Sequence, residues 1–364
     1  MRATALKLES WTGLAGLEAQ RERWESLLEV SGADALCNAW SWNAAYARAH
    51  LEDEDIFGWT ALDADGSAVG LLPMSLEPKR GAFALRRALF LGDGTFDSDY
   101  LEPLARPGAE DECAQAFLEA LCRSPRLDVA VFSCIPLERP WLDALSRAAE
   151  ASGLQQRHVD VPCCSAALPE DFESYLKGLK SRMRSKVRSA VRGSVVRREE
   201  LLWTRAPDEL DRDLAGLFDL HTQRWRTRGE PGSFADTRRT AFYADLARRH
   251  LEQGTLRLAR LERDGRPIAY QIGLVAGDRY YQLQEGFDPA LEKERPGVAL
   301  RARALAELQA EGVRHYDFMA GVSRHKTDWG AADRMCRTLS VELGGWRAKT
   351  TFALKDRIED LRGR

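Results

Sequence analysis

Between Thr255 and Met319 the chain sets out a pattern that few folds can accommodate. Three strand-like segments, Thr255–Glu262, Pro267–Ala276 and Tyr280–Phe287, are joined by Arg263-Asp264-Gly265-Arg266 and Gly277-Asp278-Arg279. Short connectors rich in Asp and Gly signal hairpin turns, so the three segments predict an antiparallel meander. A polar loop follows, then Pro296-Gly297 opens a helical segment, Gly297–Glu311, and a further core strand, Arg314–Met319. Proline suits the first turn of a helix, where its missing N–H costs nothing. The glycine lets a ligand approach the backbone, and the free N–H groups of such a helix start face a phosphate well.

The flanking sequence extends the same grammar. Helical spacing marks Leu14–Leu28, Trp40–His50, Glu110–Cys122 and Trp141–Ala151 in the first half, with strands at Ile56–Leu62, Ala68–Leu76 and Leu127–Cys134. In the second half, Val161–Leu168 reads as a strand, and Phe172–Arg192, Glu209–Arg226 and Arg239–Glu252 read as helices. Cys336–Leu343 reads as a last strand before a C-terminal helix. Strand–helix alternation of this kind places helices against mixed sheets. At 364 residues the chain calls for two domains of about 150–200 residues. The order of elements, repeated in rough form in both halves, places the boundary near Ser152–Asp160 and gives domains 1–155 and 156–364. The expected class is α/β (α+β), with mixed, mostly antiparallel sheets flanked by helices.

Composition removes several function classes. With 53 basic and 56 acidic residues the net charge is −3, so the chain as a whole is not built to coat nucleic acid. The seven cysteines are irregularly spaced and form no CxxC pair, which argues against a disulfide framework and a structural zinc site. No apolar run long enough for a signal peptide or a membrane span is found, so a soluble cytoplasmic protein without metal is expected. There is no GxGxxG, Walker A, HExxH or GxSxG motif. One local stretch stands out: Lys177 to Arg198 carries Lys177, Lys180, Arg182, Arg184, Lys186, Arg188, Arg192, Arg197 and Arg198 with no acid. Such a run attracts phosphates or is a solvated helix face.

Four segments together resemble a known family. They are Arg182–Ala190; Leu220–Gly229 followed by Gly232-Ser233-Phe234; Pro296-Gly297; and Asp317–Gly321 followed by Lys326 and Trp329-Gly330, with Asp99-Tyr100-Leu101 as a weaker fifth. The pattern resembles the acetyltransferase core of the GNAT superfamily, and most closely the double-domain CelD/BcsL-type N-acetyltransferases, relatives of the FemABX peptidyltransferases. The resemblance implies two tandem GNAT-like acyl-CoA N-acyltransferase domains, with the working donor site in the second. It implies acyl-CoA (acetyl-CoA) as co-substrate, laid along the splayed strand Tyr280–Phe287 with its pyrophosphate on the helix start. Gln282, Pro296, Gly297, Val298 and Arg301 are then the donor-binding candidates. An amine or amino sugar, of envelope, polysaccharide or natural-product metabolism, is the implied acceptor, held in the cleft between the domains. Asp99, Tyr100, Trp225, Arg226, Arg228, Phe234, Lys326 and Trp329 are the candidates for binding it. By position, Glu285, Asp317 and His221 are candidates for the base. The family has Tyr just before the Lys of the fourth segment; here that residue is His325, a candidate for protonating the leaving thiolate. Two alternatives stay open: an aminoacyl-tRNA-dependent transferase, which the basic stretch favours, and a non-catalytic duplicated domain that binds a ligand.

Overall fold

The computed structural model describes residues 6–77, 85–93 and 97–344. The chain divides into two compact units, one of residues 1–161 and 335–364, the other of Pro162–Arg334. It therefore passes from one unit to the other twice, near Val161 and again near Arg334.

In the first unit the strand order is β1 (Lys7–Thr12), β2 (Ile56–Leu62), β3 (Ala68–Leu76), β4 (Arg87–Phe90), β6 (Val129–Pro136) and β13 (Ala332–Glu342), with a short β5 (Leu104–Ala105) paired to β3. Its helices are α1 (Gly13–Ala19), α2 (Arg21–Ser31), α3 (Trp40–His50), α4 (Glu110–Arg123) and α5 (Trp141–Ala151). In the second unit the order is β7 (Gln156–Ala167), β12 (His315–Ala320), β11 (Arg279–Phe287), β10 (Arg266–Ala276), β9 (Leu256–Arg263) and β8 (Glu200–Trp203). Around it lie α6 (Phe172–Gly178), α7 (Ser181–Val196), α8 (Pro207–Arg226), α9 (Thr237–Glu252), α10 (Pro296–Ala310) and α11 (Arg324–Asp328).

Both units repeat one plan. In each, a parallel strand pair is bonded over only three residue pairs: Arg87–Leu89 with Val129–Val131, and Arg279–Tyr281 with His315–Asp317. Just past each pairing a non-glycine residue takes the left-handed conformation, Cys134 at φ 54° and Met319 at φ 62°. Beyond Tyr281 and Asp317 the strands β11 and β12 part. Tyr280, Tyr316, Phe318, Tyr175 and Trp329 join a core cluster there. α10 runs through the middle of the unit and is buried on most sides, including at Arg301. A β-bulge between Ile272 and Gly273 adds one residue, Leu283, to β11.

The meander was legible and appears as β9–β10–β11. Two expected single helices are each broken in two. Leu14–Leu28 divides at Gln20, and Phe172–Arg192 divides at Leu179-Lys180, where the backbone turns extended. The second break follows from the start of α6, where Asp171 accepts the N–H of Ser174 and a helix of only seven residues ends at Gly178. Strands β1, β4, β5 and β8 and helix α11 were not foreseen; none is longer than six residues. The helix expected after Leu343 lies outside the described residues. No helix among the described residues is long and apolar enough to cross a membrane.

Candidate functional site

The site is built where β11, α8 and the start of α10 converge. α8 can approach β11 because residue 286 is glycine: a Cβ there would lie 2.5 Å from the backbone N of His221. That close contact sets Arg224, almost one turn further along α8, against Glu285. The Arg224 guanidinium donates to Glu285 at 3.4 Å and lies over the Phe287 ring, 4.6 Å from its centre. From α10, the buried Arg301 donates to the other oxygen of Glu285. Its second terminal nitrogen is 3.1 Å from Nε2 of His325, and Trp329 lies 5.2 Å beneath the guanidinium.

These groups line a cavity of about 230 Å³ together with Lys186, Arg228, Glu292, Arg295, Pro296, Gly297 and Val298. Five cations face two carboxylates, so the cavity favours an anionic guest. The helix start adds to this. Arg295 is held left-handed at φ 60°, its carbonyl takes the N–H groups of Val298 and Ala299, and the Gly297 N–H has no acceptor among the described residues. The preceding loop is braced through Glu294, which pairs with Arg197 and Arg263.

Burial by itself pushes the Glu285 carboxyl up, but Arg301 and Arg224 outweigh it and hold the group below its usual value. Burial, then Arg301 and Arg224, press His325 down to about 4. Since a guanidinium only donates, Nε2 of His325 accepts and its ring proton sits on Nδ1. His221 is likewise pressed to about 4, by burial and then Arg224 and Arg239. Its Nε2 accepts the indole N–H of Trp225 at 2.9 Å, so that lone pair is already in use.

The candidates thus separate. Glu285, Pro296, Gly297, Val298, Arg301, Arg228, His325 and Trp329 all line one cavity. His221, Trp225 and Phe234 form an aromatic group beside it, and Phe234 packs on Phe218, His221 and Tyr243. Gln282 accepts the Tyr316 hydroxyl at 3.1 Å. Asp317, a candidate base by position, does not line this cavity. It is fully buried, ion-paired to Arg279 at 3.0 Å, and takes the Met319 N–H at 2.8 Å, so it holds the strand end. Lys326, a candidate for binding the acceptor, gives its ammonium to the main-chain carbonyls of Phe318, Met319 and Ala320. Arg226, another such candidate, is exposed and not among the cavity residues. Positions two apart on a helix point about 200° away from each other, so Arg224 and Arg228 share the face that Arg226 leaves. Asp99 and Tyr100 belong to the first unit, both buried, Asp99 accepting from the Cys134 thiol at 3.5 Å. A cavity of about 190 Å³ in that unit, bordered by Phe57, Trp59 and Leu76, has Glu54 and Arg126 as its charged neighbours among the described residues.

The low histidine values carry a stability consequence. His221, His250 and His325 all titrate near 4 in the folded chain, against about 6.5 unfolded. The unfolded state therefore binds more protons between pH 6.5 and 4, and stability falls as pH drops through that window. Denaturant unfolding at pH 7 and pH 5 should show a loss of roughly 1 kcal/mol or more for each of the buried His221 and His250, and less for His325, whose exposure to solvent screens its charge. A flat profile would contradict these environments.

Residues 179–327 match the family model described as the acetyltransferase (GNAT) domain. No curated protein matches the chain. Among solved structures, FemX superposes with a TM-score of 0.60 at 11% identity, covering 87% of this chain and 95% of FemX. L-PGS from Bacillus licheniformis gives 0.56 at 14% identity, covering 93% of this chain and 95% of that one. A tandem GNAT protein from the clavulanic acid biosynthesis pathway, solved without AcCoA, gives 0.52 at 14% identity, covering 93% and 99%. At such identities the likeness is one of fold. Residues 179–327, all within the second unit, are thus similar to an acetyltransferase (GNAT) domain, and the whole chain shares its two-unit α/β fold with the tandem GNAT protein.

Proposed function

We propose that the chain is an N-acyltransferase that moves an acyl group from acyl-CoA, acetyl-CoA in the simplest case, onto an amine or amino sugar. The observation that carries the reading is the cationic cavity at the glycine start of α10, beside the point where β11 and β12 part. A pyrophosphate fits the chemistry of that start: a helix N-terminus with the Gly297 N–H and Arg295, Arg228 and Lys186 beside it. The donor carries the reactive thioester; the chain's own residues bind, orient and supply protons. Direct attack by the amine needs a hydrogen-bond donor for the departing thiolate. His325 suits that role, because Arg301 occupies its Nε2 and leaves Nδ1–H as the donating side. Glu285, ionised and shared by two arginines, is a weak base, and its part is to fix Arg224 and Arg301.

His325→Phe should lower thioester turnover on the order of a hundredfold, and His325→Tyr should retain most of it, since a phenol also donates. Thiol release from acyl-CoA measures both. Unchanged turnover in His325→Phe would remove the residue from the mechanism.

A second reading, aminoacyl transfer from charged tRNA, is favoured by α7. Lys180, Arg182 and Arg192 in and just before that helix have no acid partner among the described residues, and Lys186 on the same helix reaches the cavity. Binding of charged tRNA that weakens steeply with salt would support it.

A further inference from the structure

Lys326 stands one residue from His325, yet its ammonium turns away from the cavity. Nζ donates to the carbonyl oxygens of Phe318 at 2.6 Å, Met319 at 3.2 Å and Ala320 at 2.5 Å. An ammonium has three protons, and three successive carbonyls take them. Three adjacent carbonyls converge because the strand end is bent. β12 leaves β11 after Asp317, and Met319 turns left-handed with its N–H tied to the Asp317 carboxylate. In an interior such carbonyls need partners, and a charged donor supplies strong ones.

The same side chain fastens α11. That helix has five residues, far too few to be stable alone. Its start is capped by Ser323, and its far end is tied by the Tyr175 hydroxyl donating to the Trp329 carbonyl. Lys326 is the link from its middle to β12. α11 in turn presents His325 to Arg301 at one end and Trp329 beneath Arg301 at the other.

We propose that Lys326 is a positioning residue: by clamping the bent end of β12 to α11 it fixes His325 and Trp329 against Arg301, and it does not touch the ligand. The inference concerns the wall of the cavity whatever donor the cavity takes, so its test needs no substrate.

The measurement is the titration of His325 by histidine NMR in the full chain. The charged groups facing His325 are Arg301 on α10, Glu285 on β11, Arg224 on α8 and Lys186 on α7. In the native protein burial, joined by Arg301, Arg224 and Lys186 and opposed by Glu285, holds His325 at about 4. In Lys326→Met the imidazole should leave Arg301, and its midpoint should rise by at least about one unit toward the ordinary value of about 6.5. The His221 and His250 midpoints should stay in place, because neither residue is on α11 or β12. Lys326→Gln, which keeps two N–H donors, should fold even if Lys326→Met does not, and should show a smaller rise. A folded variant with lower melting temperature and His325 unmoved would make Lys326 merely structural and overturn the proposal. So would loss of ligand binding with His325 unmoved, which would place the ammonium on the ligand.

Discussion

Arg301→Met is expected to cost about 3–5 kcal/mol of stability, the largest effect of any single change in the site. Arg301 is 2% exposed and lies at the centre of the cavity wall. Its guanidinium bonds to Glu285 and His325 and lies over both Phe318 and Trp329, 5.5 and 5.2 Å from the ring centres. Methionine fills much of the same volume, so the cost is mainly electrostatic. Glu285 would lose its nearer partner and keep only Arg224, at 3.4 Å. A largely buried carboxylate left with one longer ion pair either stays charged at a penalty or takes up a proton. The double variant Arg301→Met with Glu285→Gln should recover most of the stability, because both charges go together. It should not recover donor binding, since the cavity has lost a cation and His325 its partner. Urea unfolding of the three proteins measures the first expectation. A double variant no more stable than Arg301→Met would show that the pair is not the source of the loss.

Gly297→Asp is expected to leave the protein folded and to weaken donor binding a hundredfold or more. A Cβ at this position would sit 3.2 Å from the edge of the Phe287 ring, so the ring must move by a few tenths of an ångström. Against that small strain, a carboxylate at a helix start is favourable by about 0.3–1 kcal/mol. The fold should therefore survive. A phosphate about 5 Å from the new carboxylate would be repelled by about 3 kcal/mol at an effective dielectric near 20, a factor of more than a hundred in affinity. Gly297→Ala, which adds the Cβ without the charge, should show only a minor loss. Equal losses in both would mean that space, not charge, governs the helix start. Loss of folding in Gly297→Asp would count against the open helix start described here.

How much of this was readable from the sequence follows from the range of each signal. The meander and the Pro296-Gly297 helix start rest on neighbours a few residues apart, where turn chemistry and strand alternation are strong. The short edge strand Glu200–Trp203 was missed, because four residues carry too little periodicity to stand out. α11 was missed for the same reason, and its stability comes from contacts with Tyr175, Phe318 and Ala320 rather than from its own five residues. Within the site, Glu285, Gly297, Arg301, His325 and Trp329 were singled out and do meet in one cavity. Arg224 was not, although it lay inside a quoted segment. The stripe Leu214, Leu217, His221 on α8 continues to Arg224 and Arg228 at helical spacing, so periodicity alone contained the choice against Arg226. Glu294, Arg197 and Arg263 could not have been paired from sequence, since the partners are 31 or more residues apart and only the fold brings them together.

The central claim is that the cavity at the start of α10 takes the anionic end of an acyl-CoA. Calorimetric titration of the intact protein with CoA, acetyl-CoA and a longer acyl-CoA tests it most directly. Saturable binding at one site per chain is expected, lost in Gly297→Asp and kept in Arg226→Glu. No heat from any of the three, in a protein that binds charged tRNA, would contradict it and assign the cavity to aminoacyl transfer.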